Sequence, residues 1–311
     1  MLRQRSTAMI NFSQLRAFFE AARTGSYSRA ASSLFLTQPA ISAQIKALEE
    51  SFGFKLFRKL GRQMVLTEAG SELFQYARRI FELETEIEKM VSEIHKLERG
   101  VLKVATTKTY ARYLMPSIMT RFHSAHPAVK IVLDEGSSLE MLKSVLELRN
   151  ELGIMAKVEE FAKIEYIPFA RERIVLFAST HHPFAKEGKI RFKDLNHQPI
   201  IMKERGSGTH ATVTRCFARH GLTPNVLVET SNIDFIKDMV RKGEGVSFLV
   251  QQAVEEDAAL GHVRIVEIED EEMVLPVFIV VREGDKLSPA GRAFLEILMQ
   301  IKEERFSKAE L

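Results

Sequence analysis

Thr37-Gln38-Pro39-Ala40-Ile41-Ser42-Ala43-Gln44-Ile45-Lys46-Ala47-Leu48 reads as a helix with a marked beginning and two unlike faces. Thr37 supplies a capping hydroxyl, and Pro39 falls in the first turn, where a missing N–H costs nothing. Ile41, Ile45 and Leu48 recur at the spacing of one buried stripe, while Gln38, Ser42, Ala43 and Lys46 make the opposite side small, polar or cationic. Upstream, Leu15, Phe18, Phe19 and Ala22 form another helical stripe that stops at Gly25. A short helix from Ser28 to about Leu34 then turns Ala30 and Ala31 inward. Two short helices joined by a tight turn, the second one capped, make a helix-turn-helix unit.

Downstream, Gly53 and Gly61 bracket Phe54-Lys55-Leu56-Phe57-Arg58-Lys59, and Arg62-Gln63-Met64-Val65-Leu66 follows. This pattern predicts a two-stranded wing with a basic tip. Thr67 caps a long helix, with Glu68 in its first turn favoured by the dipole. That helix carries a seven-residue repeat, with Leu73, Ile80, Ile87 and Ile94 in one column and Tyr76, Leu83, Met90 and Leu97 in the other. A two-column seam asks for a partner helix, and a second copy of the chain is the expected one; packing on the chain's own body is the alternative.

Beyond Gly100 strands alternate with helices, as in α/β folds with largely parallel sheets. The expected strands are Val101–Ala105, Val129–Leu133, Leu152–Met155, Ile174–Ala178, Pro199–Met202, Val226–Glu229, Val246–Leu249 and Val274–Val281. The expected helices lie near Tyr113–Ser124, Leu139–Arg149, Thr209–His220, Asn232–Arg241 and Ala290–Ile301.

The chain has 311 residues, 45% hydrophobic and 27% charged, which suits a packed protein of two or three domains and excludes global disorder. Its net charge of +3 is unevenly shared. Residues 1–65 hold ten Lys/Arg against three acids, a net of +7, which leaves −4 for the rest. A basic head meeting a polyanion is the natural reading. The apolar run Val274–Val281 is far short of the ~18 residues that cross a bilayer. Residues 1–9 carry basic side chains with no apolar stretch of signal-peptide length behind them, so the cytoplasm is expected. Cys216, the single cysteine, is expected to be a small buried hydrophobe on a helix.

On these residues the head strongly resembles the LysR-type bacterial transcriptional regulators. The likeness runs through Asn11–Phe18, Thr24–Ala31, Thr37–Ser42, Gln44–Glu49, Leu56-Phe57 and Leu66–Gly70. Weaker matches continue to Gly206-Ser207-Gly208-Thr209 and Gly243–Val246. One departure is that the family's usual Leu-Phe-x-Arg stands here as Leu56-Phe57-Arg58-Lys59. The resemblance implies an α/β protein in three parts: a winged helix-turn-helix over 1–66, a linker and dimerisation helix over 67–99, and an effector domain over 100–311. The last would have two lobes like those of periplasmic binding proteins, about 100–162 with 270–311, and about 163–269. It further implies a homodimer or tetramer, promoter DNA and a small effector as partners, RNA polymerase as a candidate partner, and no cofactor.

On the logic of a recognition helix, Gln38 bonds a base edge, Ser42 is a second reader, and Pro39 and Ala40 touch a thymine methyl. Thr37 and Ala43 flank them, Arg29, Lys46 and Arg58 are phosphate candidates, and Arg62 at the wing tip is aimed at the minor groove. Arg3 and Arg5 are expected in a solvated tail.

No catalytic set stands out in the body, and an enzyme is not expected. His123-x-x-His126 lacks further ligands at metal spacing. Gly206-Ser207-Gly208-Thr209-His210-Ala211, with Glu229 some way on, fits the loose dinucleotide fingerprint but follows Lys203-Glu204-Arg205 late in the chain. It reads better as a glycine-rich loop opening a helix, where N–H groups favour an anion. Thr106-Thr107 and Ser137-Ser138 are similar helix starts. With Gly208, Thr209 and Ser247 they are the candidate contacts for an anionic metabolite between the lobes; simple helix capping is the alternative.

The readout assigned to Gln38 has a direct test. Gln38→Ala is expected to cost roughly 1–3 kcal/mol on the specific duplex and little on random DNA, measured by fluorescence anisotropy.

Overall fold

The computed structural model describes residues 9–60 and 63–309, with side chains as far as Glu304. Arg3, Arg5 and Arg62 lie outside the described residues. The chain forms two compact units, one ending at Ser92 and one beginning at Glu93.

The first unit opens with α1 (Phe12–Thr24), α2 (Tyr27–Ser33) and α3 (Gln38–Phe52). Asn11 caps α1, its side chain accepting from the N–H groups of Ser13 and Gln14, and Gly25 ends it at φ 63°. Leu15, Phe18, Ala30, Ile41, Ile45 and Leu48 meet in one core. The wing is an antiparallel hairpin of β1 (Phe57–Leu60) and β2 (Gln63–Leu66), and α4 (Glu68–His95) follows.

Three of these elements converge on Lys55-Leu56-Phe57. Glu49, buried near the end of α3, accepts the Leu56 N–H at 2.8 Å, the Phe57 N–H at 3.3 Å and the Lys55 ammonium at 2.7 Å. From the other side the Thr67 hydroxyl donates to Lys55 O at 2.8 Å, and its N–H donates to Leu56 O at 2.9 Å. A Cβ on Gly70 would stand 2.1 Å from Leu56 O, so only glycine lets the first turn of α4 come this close.

The seam of α4 differs from expectation. Leu73 and Ile80 turn partly into the head core beside Phe74, with Ala77 and Phe81 fully engaged there. The exposed apolar residues are Tyr76, Leu83, Ile87, Met90, Val91 and Ile94. Leu97 is not on the helix at all. Its backbone is left-handed (φ 58°), its N–H donates to Ile94 O and the Glu98 N–H donates to Glu93 O, a Schellman stop three residues before Gly100. Its side chain packs on the core of the second unit.

That unit begins with β3 (Gly100–Thr107), α5 (Lys108–Tyr113), α6 (Met115–Ala125), β4 (Val129–Gly136), α7 (Ser138–Leu146) and β5 (Leu152–Ala156). The helix expected near Tyr113–Ser124 is α6, and a further short helix, α5, precedes it, separated by Leu114 at φ −115°. Then come β6 (Ile164–Ser179), α8 (Pro183–Glu187), β7 (Lys189–Ile190), β8 (Pro199–Lys203), α9 (Gly208–Arg219), β9 (Asn225–Thr230), α10 (Ile233–Arg241) and β10 (Val246–Val250). The chain closes with α11 (Glu255–Ala259), β11 (Val263–Ile268), β12 (Met273–Arg282) and α12 (Pro289–Ala309).

The sheet is mixed rather than largely parallel. β3 pairs in parallel with β4 and β5, and β8 with β9 and β10, but β6 and β12 run antiparallel to each other and to their other neighbours. Those two strands run through both halves of the unit. Where they cross, the register slips so that Val277 faces Ala170 while Phe278 faces Pro168, leaving Phe169 in a bulge. The first half holds β3–β5 and the second holds β7–β11. Each half leaves the carboxyl ends of its parallel strands facing a crevice, the place where open α/β sheets bind ligands.

Glu49 titrates in a way that reports on the head. Burial pushes its carboxyl up, but the Lys55 ammonium and the two N–H donors outweigh that and hold it below its ordinary value of 4.5. A carboxylate lowered on folding stabilises above the unfolded value and loses that contribution as pH falls through the folded one. Glu49→Ala is therefore expected to destabilise the head by about 1–3 kcal/mol at neutral pH, by circular dichroism melts. The gap from the parent should narrow as the pH falls below the carboxylate range.

Candidate functional site

On the head, α3 presents its first turn to solvent. The Thr37 hydroxyl accepts the Ala40 N–H at 3.4 Å, and Thr37, Gln38 and Pro39 are exposed, Ala40 and Ser42 half-buried, Ala43 and Lys46 exposed. Lys46 also sits 3.7 Å from Glu50 one turn on, both well exposed, a pairing worth little in water. Arg29 is exposed on α2 and Arg58 on β1. Thus nine of the ten DNA-facing candidates lie among the described residues, at the start and along the outer side of α3 and on α2 and β1. The opposite, apolar face of α3 is fully used by the core.

In the second unit a narrow cavity lies between the halves, lined by Thr107, Lys108, Gly136, Ser137, Ser138, Lys203, Glu204, Ser207, Gly208 and Thr209 among others. Its free volume for water-sized centres is about 20 Å³, room for roughly one water. Five of the seven candidate effector contacts line it: Thr107, Ser137, Ser138, Gly208 and Thr209. Thr106 and Ser247 do not. Both are buried within the sheet, where the Thr106 hydroxyl donates to Ile154 O at 3.1 Å and the Ser247 hydroxyl to Ile201 O at 2.5 Å.

Several hydroxyls at the cavity are already committed as caps. Thr107 accepts the Tyr110 N–H, and Ser137 shares a capping box with Glu140, whose carboxylate the Ser137 N–H holds low at 2.8 Å. At the third helix start the cap is Ser207, not Thr209, and it accepts the His210 N–H at 3.1 Å. Gly208 is needed for space, since a Cβ there would stand 2.4 Å from that of Ala156.

The charges at the cavity come from residues that the hydroxyl pattern did not single out. Lys108, in the first half, donates from Nζ to the Ser231 hydroxyl at 2.8 Å. Lys203, at the end of β8 in the second half, donates to the Ser231 carbonyl at 3.0 Å and lies 2.9 Å from Glu204. Lys203 is 3% exposed, and burial pushes its ammonium pKa down; Glu204 opposes that and Lys108 adds to it. The halves also touch directly, through the Leu139 N–H on Gly206 O at 3.1 Å. The signal that finds Lys203 is its position: a lysine ending an otherwise apolar strand, just ahead of a glycine-rich helix start.

The loop follows the expected strand, β8, as the dinucleotide reading requires. Yet the acid it needs is committed elsewhere, because Glu229 accepts the Arg205 N–H at 2.8 Å and pairs with the Arg205 guanidinium. Cys216 is buried on α9, though its sulfur lies 3.2 Å from the Arg219 guanidinium, a more polar setting than a plain hydrophobe's.

Two family models match the chain: a bacterial regulatory helix-turn-helix protein of the lysR family over residues 12–71, and a LysR substrate binding domain over 95–301. The chain belongs to the LysR family. The HTH-type transcriptional activator CmpR of Synechocystis is 30% identical to this LysR-family chain over 285 residues, covering 92% of it and 93% of the relative. Among solved structures, full-length OxyR from Pseudomonas aeruginosa shares the fold at TM-score 0.77 and 22% identity, over 94% of this chain and 100% of that one. The regulatory domain of Synechocystis CcmR, in complex with 2-PG, matches at TM-score 0.61 and 26% identity, over 66% of this chain and 98% of that one. CmpR is named as a transcriptional activator, and this LysR-family chain is a regulator with a helix-turn-helix head and an effector-binding body rather than an enzyme. Among the described residues no helix is long and apolar enough to cross a membrane.

Proposed function

We propose that this regulator reads duplex promoter DNA with the first turn of α3, and that a small anionic metabolite held between the two halves of the body modulates that binding. The observation that carries the ligand reading is the convergence of Lys108 and Lys203, one from each half, on Ser231 beside the starts of α7 and α9. An ammonium stripped of water and offset by one carboxylate favours an added anion, and free N–H groups at helix starts add the same sign of field. The CcmR domain was solved with 2-PG, which agrees in charge. Lys108 and Ser231 also line an adjoining, more open crevice of about 470 Å³ with Arg112, Glu135 and Asp234, so a ligand reaching both lysines would bridge the two halves.

The exposed seam of Tyr76, Leu83, Ile87, Met90 and Ile94 supports pairing with a second copy, and a dimer of dimers is the assembly the reading favours. We assign residues 1–66 to DNA, 67–99 to pairing and 100–311 to the ligand, acting in the cytoplasm with RNA polymerase as the downstream partner.

A thermal-shift screen of the full chain against anionic metabolites tests this. An anion that raises the melting temperature of the parent should leave Lys108→Met and Lys203→Met unmoved, since ligand-linked stability vanishes with affinity. An equal shift in both variants would place the anion elsewhere.

A further inference from the structure

Phe35 sits in the turn between α2 and α3 with its side chain 97% exposed. Its backbone is left-handed, φ 54°, where the Phe35 N–H donates to Ser32 O and the Leu36 N–H to Ala31 O at 2.9 Å. This is the Schellman stop of α2, a position that favours glycine or asparagine and that a bulky residue occupies at a cost. The stop explains the backbone. It does not explain the ring. Among the described residues, two other left-handed stops are filled by a residue other than glycine, and they treat it differently: Leu97 packs on a core, and Leu148, at φ 60°, is a smaller side chain at 59% exposure.

The surroundings point to what covers the ring. Phe35 stands three residues before Gln38, and Leu36, 42% exposed, and Pro39 extend the apolar surface into the start of the recognition helix. The head that carries it has a net charge of +7 over residues 1–65, with Arg29 exposed on the helix just before. A polyanion whose groove edge also offers methyl groups and sugar rings fits both the charge and the apolar strip.

We propose that Phe35 is a DNA contact, its ring lying against a thymine methyl or the adjoining deoxyribose while Gln38 reads the neighbouring base. The assignment rests on the reading of the head as DNA-binding. It makes the turn, as well as the helix, part of the specificity surface, and it gives a reason for keeping an exposed aromatic where asparagine would suit the backbone better.

The test uses the full chain and a duplex selected by that chain from a randomised pool. Phe35→Asn should melt no lower than the parent, because asparagine tolerates left-handed backbone. It should bind the selected duplex roughly tenfold more weakly, the loss of ~1.4 kcal/mol of apolar burial. Phe35→Leu should retain most of the affinity. Replacing thymines one at a time by 5-iodouracil should give a photo-crosslink that mass spectrometry assigns to Phe35. Parent-like affinity of Phe35→Asn for the selected duplex, with no crosslink at Phe35, overturns the proposal. If that variant binds normally but fails to support transcription with RNA polymerase, the ring faces a protein and the DNA assignment is equally wrong. Failure of the parent to enrich any duplex removes the DNA-binding reading itself, whereas enrichment without an effect at Phe35 removes only this inference.

Discussion

Everything the head does depends on how three residues, Lys55 to Phe57, have their backbone satisfied. Glu49 takes the N–H groups of Leu56 and Phe57, and Thr67 takes the carbonyls of Lys55 and Leu56. One acid on α3 and one cap on α4 thereby fix α3, the wing and α4 to a single point. A buried carboxylate is costly unless fully hydrogen-bonded, and here each of its bonds is to an element that must be held in place. The outward turn of α3 is thus presented by a rigid support rather than by a loop.

The body uses the opposite economy. Its halves share β6 and β12 and one apolar core, and polar links also join them: Leu139 to Gly206, Lys108 to Ser231, Arg112 to Asp234, and Tyr113 to Lys237 and Gln252. Lys203 is a cation with little water and a single carboxylate neighbour. Such a group gains more from a new anion than an exposed lysine does, because the local dielectric is low. On the proposed reading, the same residues link the two halves and meet the anion.

Much of this is legible in the sequence. Thr37, Pro39 and the Ile41-Ile45-Leu48 stripe specify α3 because capping and periodicity act within a few residues. The glycine-rich start of α9 was legible for the same reason, although its cap is Ser207 and not Thr209. What stayed hidden depends on distant partners. The first half of β6 contains Pro168, which argues against a strand until the bulge facing Phe278 is seen. Leu97 fits the heptad column, yet a left-handed stop removes it from the helix. Thr106 stands at the carboxyl end of β3 but turns into the sheet, a matter of one residue in a period of two, whereas Ser247 lies at the opposite, amino end of β10. Lys203 is only one lysine among many until the fold buries it.

The central claim is that the start of α3 and the wing enter a duplex groove. Amide hydrogen exchange of the full chain, with and without a duplex it has enriched, addresses this most directly. The account predicts slowed exchange over residues 37–48 and along the wing, with the strands of the body unchanged. Protection confined to the body, or unaltered exchange over 37–48 under saturating duplex, would contradict it.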